Sequence, residues 1–184
     1  VTDVSFTGLE KARVFSGEWL SKQVEKGRMT SDKVNTVKSR MIFCNDLETA
    51  CKNADLIIEA IVEELSAKRK LFEQLDQLCP PRTVFATNSS YIVSSKIVDI
   101  TRRPEKVLNI HFFNPALVMK LVEVVKGPHV SQDTINAVMD CVEKMGKDPV
   151  LINKEIYGFV VNRIFSAITK EACSLLDQGI ASID

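Results

Sequence analysis

Short apolar runs alternate with helix-period segments along most of this chain, and that alternation restricts the fold more than any other feature. Arg40-Met-Ile-Phe-Cys44, Asp55-Leu-Ile-Ile-Glu-Ala-Ile61, Val84-Phe-Ala-Thr87, Val107-Leu-Asn-Ile-His-Phe112, Lys120 to Lys126 and Pro149 to Ile152 read as strands. Helices are predicted between them. One starts at Asp46 and reaches about 53, and one covers 63–78 and stops before Pro80-Pro81. A short one lies at 94–100, and one is capped by Ser131 and ended by Gly146. Asn114-Pro115 closes the run at 107–112, because proline disfavours helix in the residue before it. Ahead of these, residues 8–27 form a helix closed by Gly27, and 30–39 a second one capped by Thr30 or Ser31. Strands alternating with helices build βαβ units, hence an open three-layer α/β fold on a mainly parallel sheet with a helical hairpin attached.

The pattern changes at Tyr157-Gly158. Val161, Ile164, Phe165, Ile168, Ala172, Leu175 and Leu176 follow helical spacing up to Gly179. Such a broad apolar face must pack on something. The expected division is therefore 1–156 as the α/β domain and 157–184 as the first helix of an all-α C-terminal domain.

Composition narrows the function classes. Among 184 residues, 24 Lys/Arg balance 24 Asp/Glu. A nucleic-acid or membrane-surface binder needs a cationic excess, so neither partner is expected. The hairpin at 1–40 is locally basic, with eight Lys/Arg against five Asp/Glu. No apolar run approaches the ~20 residues of a membrane span, and the first residues lack a signal-peptide pattern. The five cysteines make an odd number without CxxC. No metal site and no disulfide framework are expected, and a reducing, cytoplasmic location fits.

Ligands of an open parallel sheet bind beyond the carboxyl ends of its strands. Glu63, Ser90 and His111 each lie at or just past such an end, which aligns them along one rim. His111 is one of only two histidines and can act as a general acid or base, or be a hydrogen-bonded core residue. Glu123 interrupts the apolar run Leu121-Val-Glu-Val-Val125. It needs a partner if buried, for which His111 is the natural candidate, and none if its strand lies at a wet edge. Asn162, beside Phe159, Val160 and Val161, also calls for a partner. Glu63-Glu64 and Lys68 open a helix, where ordinary dipole and i,i+4 chemistry accounts for them equally well. The seven glycines form no GxGxxG, so the chain holds no dinucleotide fingerprint for a pyrophosphate.

Five segments together carry a resemblance. They are Ala54-Asp-Leu-Ile-Ile-Glu-Ala-Ile-Val-Glu63, Phe85-Ala-Thr-Asn-Ser-Ser90, His111-Phe-Phe-Asn-Pro115, Val118-Met-Lys-Leu-Val-Glu-Val-Val125 and Gly158-Phe-Val-Val-Asn-Arg163. In this order, and over nearly the whole chain, they resemble the L-3-hydroxyacyl-CoA dehydrogenases, in the style of the bacterial 3-hydroxybutyryl-CoA enzymes. The resemblance implies a partial Rossmann-like fold and interconversion of (3S)-3-hydroxyacyl-CoA and 3-oxoacyl-CoA with NAD, or NADP. It implies His111 as catalytic acid/base, Glu123 as its carboxylate partner, and Ser90 and Asn162 around the substrate's 3-oxygen and the nicotinamide. It further implies cofactor contacts by Asp3, Glu63, Lys68, Ser90 and Asn114, and a CoA contact by Lys26 in the basic hairpin. Trp19 and Tyr91 stand where the family has serines. The resemblance places the family's first strand and glycine loop before Val1 and most of its helical domain after Asp184. The 184 residues alone are thus expected to be inactive, and the intact enzyme to be a homodimer. Two alternatives remain: a non-catalytic, crystallin-like or inert relative, and a dehydrogenase of hydroxy acids without CoA.

Overall fold

The computed structural model describes residues 1–183. They form two compact units. The first holds Val1–Ala54 and Leu78–Pro80. Its helical hairpin consists of α1 (Phe6–Glu25) and α2 (Ser31–Arg40), followed by α3 (Leu47–Cys51). Each helix starts on a side-chain cap: Ser5 accepts from the Gly8 N–H, Thr30 from Lys33 and Asp46 from Thr49. These caps satisfy amides that have no partner inside the helix. Gly27, at φ 64°, turns the chain between α1 and α2 in a conformation that costs glycine nothing. Leu9, Leu20 and Val34 are the buried apolar residues of the hairpin. The strand expected at 40–44 is not formed. Cys44 makes a single bridge to Thr2, and Met41 is the C-cap of α2. An apolar tetrapeptide becomes a strand only where a neighbouring chain supplies a ladder.

The second unit contains the sheet, β1 (Leu56–Glu59), β2 (Val84–Thr87), β3 (Val107–Phe112), β4 (Leu121–Val125) and β5 (Asp148–Ile152), in spatial order β1-β2-β3-β4-β5. All neighbours pair in parallel except β3 and β4. α4 (Leu65–Leu78) connects β1 to β2, and α5 (Gln132–Lys144) connects β4 to β5. The helix expected at 94–100 is a pair of 3-10 turns, Ser94–Lys96 and Val98–Ile100. Leu108, Ile110, Val122 and Val124 pack with Ile135, Val138 and Val142 of α5 into the main apolar cluster. Because side chains alternate along a strand, Asn109, His111, Glu123 and Val125 fall on the opposite face. α6 (Val161–Asp177) closes the described elements and has no buried residue of its own. Ile164, Phe165 and Ile168 on it are all more than half exposed. No helix among the described residues is long and apolar enough to cross a membrane.

Candidate active site

The antiparallel pairing of β3 and β4 sets His111 directly opposite Glu123. Directly opposed residues on such a ladder share a face, and here His111 Nδ1 lies 2.8 Å from Glu123 Oε2. Both are buried, at 5% and 1% exposure. The other carboxylate oxygen, Oε1, accepts the backbone N–H groups of Val160 and Val161, each at 3.0 Å. An acceptor-only carboxylate fixes the imidazole tautomer, with the proton on Nδ1 and the lone pair on Nε2. Ser90 Oγ is 3.1 Å from that Nε2. The imidazole contacts two rings, Phe113, with centroids 4.7 Å apart, and Phe159, at 5.4 Å.

Ser90 owes its place to the segment after β2. Asn88 Oδ1 accepts the Phe112 N–H at 2.9 Å, tying this loop to the end of β3. Ser89 Oγ accepts from the Ile92 N–H at 2.7 Å and donates to Glu63 Oε1. Asn109, fully buried, accepts from the Ser94 N–H and donates to the Ile92 carbonyl. Glu155 then receives the Ser94 hydroxyl at 2.7 Å and the Ser95 N–H at 2.9 Å.

Beyond the carboxyl end of β1 lies a second polar group. Lys68, 1% exposed, donates to Glu59 Oε1 at 2.7 Å and approaches Glu63 Oε2 at 3.3 Å. Thr87 Oγ1 donates to Glu59 Oε2 at 2.6 Å. Burial alone would push the Glu63 carboxyl up. Hydrogen bonds from Ser89, the nearby Lys68 ammonium and the Tyr91 N–H outweigh it and hold Glu63 below the ordinary carboxylate value. Glu63 therefore stands at the rim as an ionised acceptor with its side chain 41% exposed.

The structure thus brings Ser90, His111 and Glu123 together, with Glu63 and Lys68 in a network that reaches the same loop through Ser89 and Tyr91. Asn114 is exposed past β3. Asn162 is half-buried in the first turn of α6 and makes no side-chain hydrogen bond among the described residues. Asp3 and Lys26 belong to the first unit. Asp3 accepts the Ser5 N–H at 2.7 Å, and Lys26 is the exposed C-cap of α1. Sequence reasoning missed Glu59 and Phe159. The signal for Glu59 was available, since it interrupts the apolar run Leu-Ile-Ile-Glu-Ala-Ile as Glu123 interrupts its own. Phe159 had none, because its importance lies in a backbone angle.

The family described as 3-hydroxyacyl-CoA dehydrogenase, NAD binding domain, matches residues 1–156. The chain belongs to this family. Among curated relatives, it is 41% identical over 162 residues to a probable 3-hydroxybutyryl-CoA dehydrogenase of Bacillus subtilis, covering 88% of this chain and 56% of that protein. It is 39% identical over 149 residues to the mitochondrial hydroxyacyl-coenzyme A dehydrogenase of Homo sapiens, covering 81% of this chain and 47% of that one. The crystal structure of 3-hydroxybutyryl-CoA dehydrogenase from Escherichia coli K12 superposes with a TM-score of 0.94 at 36% identity, over 98% of this chain and 38% of that one. The (S)-3-hydroxybutyryl-CoA dehydrogenase structure from Ralstonia eutropha gives 0.94 at 31% identity, over 99% of this chain and 64% of that one. The chain spans about half the length of the curated relatives it matches. A 3-hydroxyacyl-CoA dehydrogenase domain of this family is a Rossmann-like NAD-binding fold, and NAD is its cofactor.

Proposed function

We propose that the full-length protein interconverts (3S)-3-hydroxyacyl-CoA and 3-oxoacyl-CoA, with the acid–base work done by His111 and Glu123. One observation carries this reading: the hydrogen-bonded line from Glu123 through the imidazole of His111 to the half-buried hydroxyl of Ser90. In the oxidative direction the substrate's 3-hydroxyl takes the place beside Nε2, and its proton passes to that nitrogen. The imidazolium that forms keeps its Nδ1 proton on Glu123, whose negative charge lies 2.8 Å away. Ser90 Oγ, within reach of the same nitrogen, orients the oxygen, and Asn162 joins it from α6. NAD, when bound, supplies the acceptor for the hydride leaving C3.

The residues present fit that cofactor. Glu63 is an ionised, exposed acceptor at the carboxyl edge of the sheet and suits ribose hydroxyls. Lys68 is buried beneath it, and we assign it to holding Glu63 in place. Asn114, exposed past β3, is a further cofactor contact in this reading. Lys26 and the basic hairpin are assigned to CoA phosphates, and Asp3 to the adenosine ribose.

The test is a spectrophotometric assay of the full-length protein with a short 3-oxoacyl-CoA and either NADH or NADPH. Oxidation of one of them is expected, and its absence with both would overturn the proposal. The 184-residue chain, which contains no GxGxxG, is expected to bind NADH only weakly. A low micromolar Kd in calorimetry would contradict that expectation.

A further inference from the structure

α6 begins without a cap of its own. Val160 holds the N-cap position and offers no side-chain hydrogen bond. The N–H groups at a helix start need acceptors, and two of them are received by Glu123, a residue of β4. One carboxylate thus serves as the helix cap on Oε1 and as the partner of the imidazole on Oε2.

The preceding turn makes this geometry possible. Gly158 has φ 74° and Phe159 φ 46°, the one non-glycine residue with positive φ among those described. For a bulky side chain such a conformation is unfavourable and persists only where its surroundings enforce it. Here the ring enforces it. Phe159 is fully buried and packs with Val125, Ile152 and Val93, while its face tilts against His111 at 5.4 Å. The strained backbone therefore sends the next two N–H groups to Glu123, and the ring that holds it borders the imidazole that Glu123 orients.

We propose that the Gly158–Phe159 turn is a positioning device for the acid–base pair, with Phe159 as its positioning residue. It locks the start of α6 against Glu123 and so fixes the rotamer and tautomer of His111. This inference rests on the catalytic role proposed above for the pair. The geometry alone makes it testable without turnover.

The experiment uses the full-length protein with Phe159→Gly, Phe159→Ala and Phe159→Leu. Phe159→Gly keeps the positive φ easy and removes only the ring. Both Gly and Ala variants are expected to lower kcat about 10²-fold, the loss that a misplacement of about 1 Å brings, with KM within about threefold. Phe159→Leu, which refills part of the pocket, should recover part of kcat.

The second readout is the 15N spectrum of labelled histidine, assigned with a His111→Asn control. Wild type should show His111 protonated on Nδ1 alone. The Gly and Ala variants should show a mixture of tautomers, which a loss of bulk stability would not produce. Should these variants fail to fold, an ester at position 161, made with the α-hydroxy acid of valine, removes a single N–H and no side chain. It should lower kcat about tenfold.

An unchanged kcat together with an unchanged His111 tautomer, in folded side-chain variants or in the ester, would overturn the proposal. A wild-type protein without turnover would instead refute the proposed reaction. The tautomer measurement would still decide the role of Phe159.

Discussion

Two carboxylates are buried in the same sheet, and they have been given different partners. Glu59, at the end of β1, faces the ammonium of Lys68, the Thr87 hydroxyl and the Ile61 N–H. Glu123, in the middle of β4, faces an imidazole and two backbone N–H groups. In the first group the lysine is 1% exposed, and its ammonium lies between Glu59 and Glu63 at 2.7 and 3.3 Å. In the second, the imidazole meets Ser90, which is half-buried, through its other nitrogen, Nε2. A buried acid whose partners are a lysine and a hydroxyl that tie two strands and a helix together is scaffold. A buried acid paired with a group that gains and loses a proton near neutrality is a proton site. The partner sets the difference, since burial is alike in both.

The largest effect that tests this comparison is on chemistry. His111→Ala in the full-length protein should lower kcat by about 10³-fold, within the range for a lost general base, with KM little changed. Steady-state kinetics decides it, and a near-normal kcat would remove His111 from the proton path. The scaffold acid should respond in stability instead. Glu59→Gln leaves the Lys68 ammonium without its nearest counter-charge in a buried site, at a cost of about 3 kcal/mol. Urea unfolding measures this, and a loss below about 1 kcal/mol would show that Glu63 already suffices for Lys68.

Glu123→Gln sharpens the contrast. The amide keeps the shape but loses the charge, so kcat should fall by about tenfold to a hundredfold, less than for His111→Ala. Equal losses in the two variants would mean that the imidazole cannot work without its partner.

The smallest expected effect concerns a third acid. Asp76 receives Arg102 Nε and Arg103 Nε, each at 2.8 Å. Burial raises its carboxyl, but these arginine hydrogen bonds and the Arg103 charge outweigh it and hold Asp76 below 3.8. A depressed value in the folded state means stability that is complete above the unfolded value and lost as pH falls through the folded one. Asp76→Asn should therefore cost about 1.5 kcal/mol near neutrality. That penalty should shrink toward zero as the pH drops below 3.8. Thermal melts of both forms across the acidic range would show it, and a penalty independent of pH would contradict the argument.

Much of the fold was legible because its strands are short apolar runs with clear stops. Asn114-Pro115 and Pro80-Pro81 end their elements by steric necessity, and Asp46, Thr30 and Ser131 are caps by chemistry. What could not be read were long-range conditions. Arg40–Cys44 looks like any strand until one finds that Thr2 alone pairs with it. In the candidate site, His111, Ser90 and Glu123 could be placed by strand ends and by the oddness of an acid among valines. Lys68 could not. Its position near the start of a helix suggests ordinary dipole and i,i+4 chemistry, and the unnoticed Glu59, with Glu63, accounts for its burial. The cap that Glu123 provides for α6 joins residues 37 and 38 positions apart, a distance over which no local pattern carries information.

The one antiparallel pairing in the sheet also sorts the gene's insertions and deletions by severity. Loss of a codon within β4 would shift its pairing by one residue, and a valine would then face His111 in place of Glu123. Nothing in the resulting composition would betray the damage, because the strand would stay apolar and β-prone. A codon lost from the exposed stretch 115–120, a few positions earlier, meets a surface connection that can absorb a change of length. Two neighbouring lesions of the same size should therefore differ in kind: one shortens a loop, while the other turns a strand over.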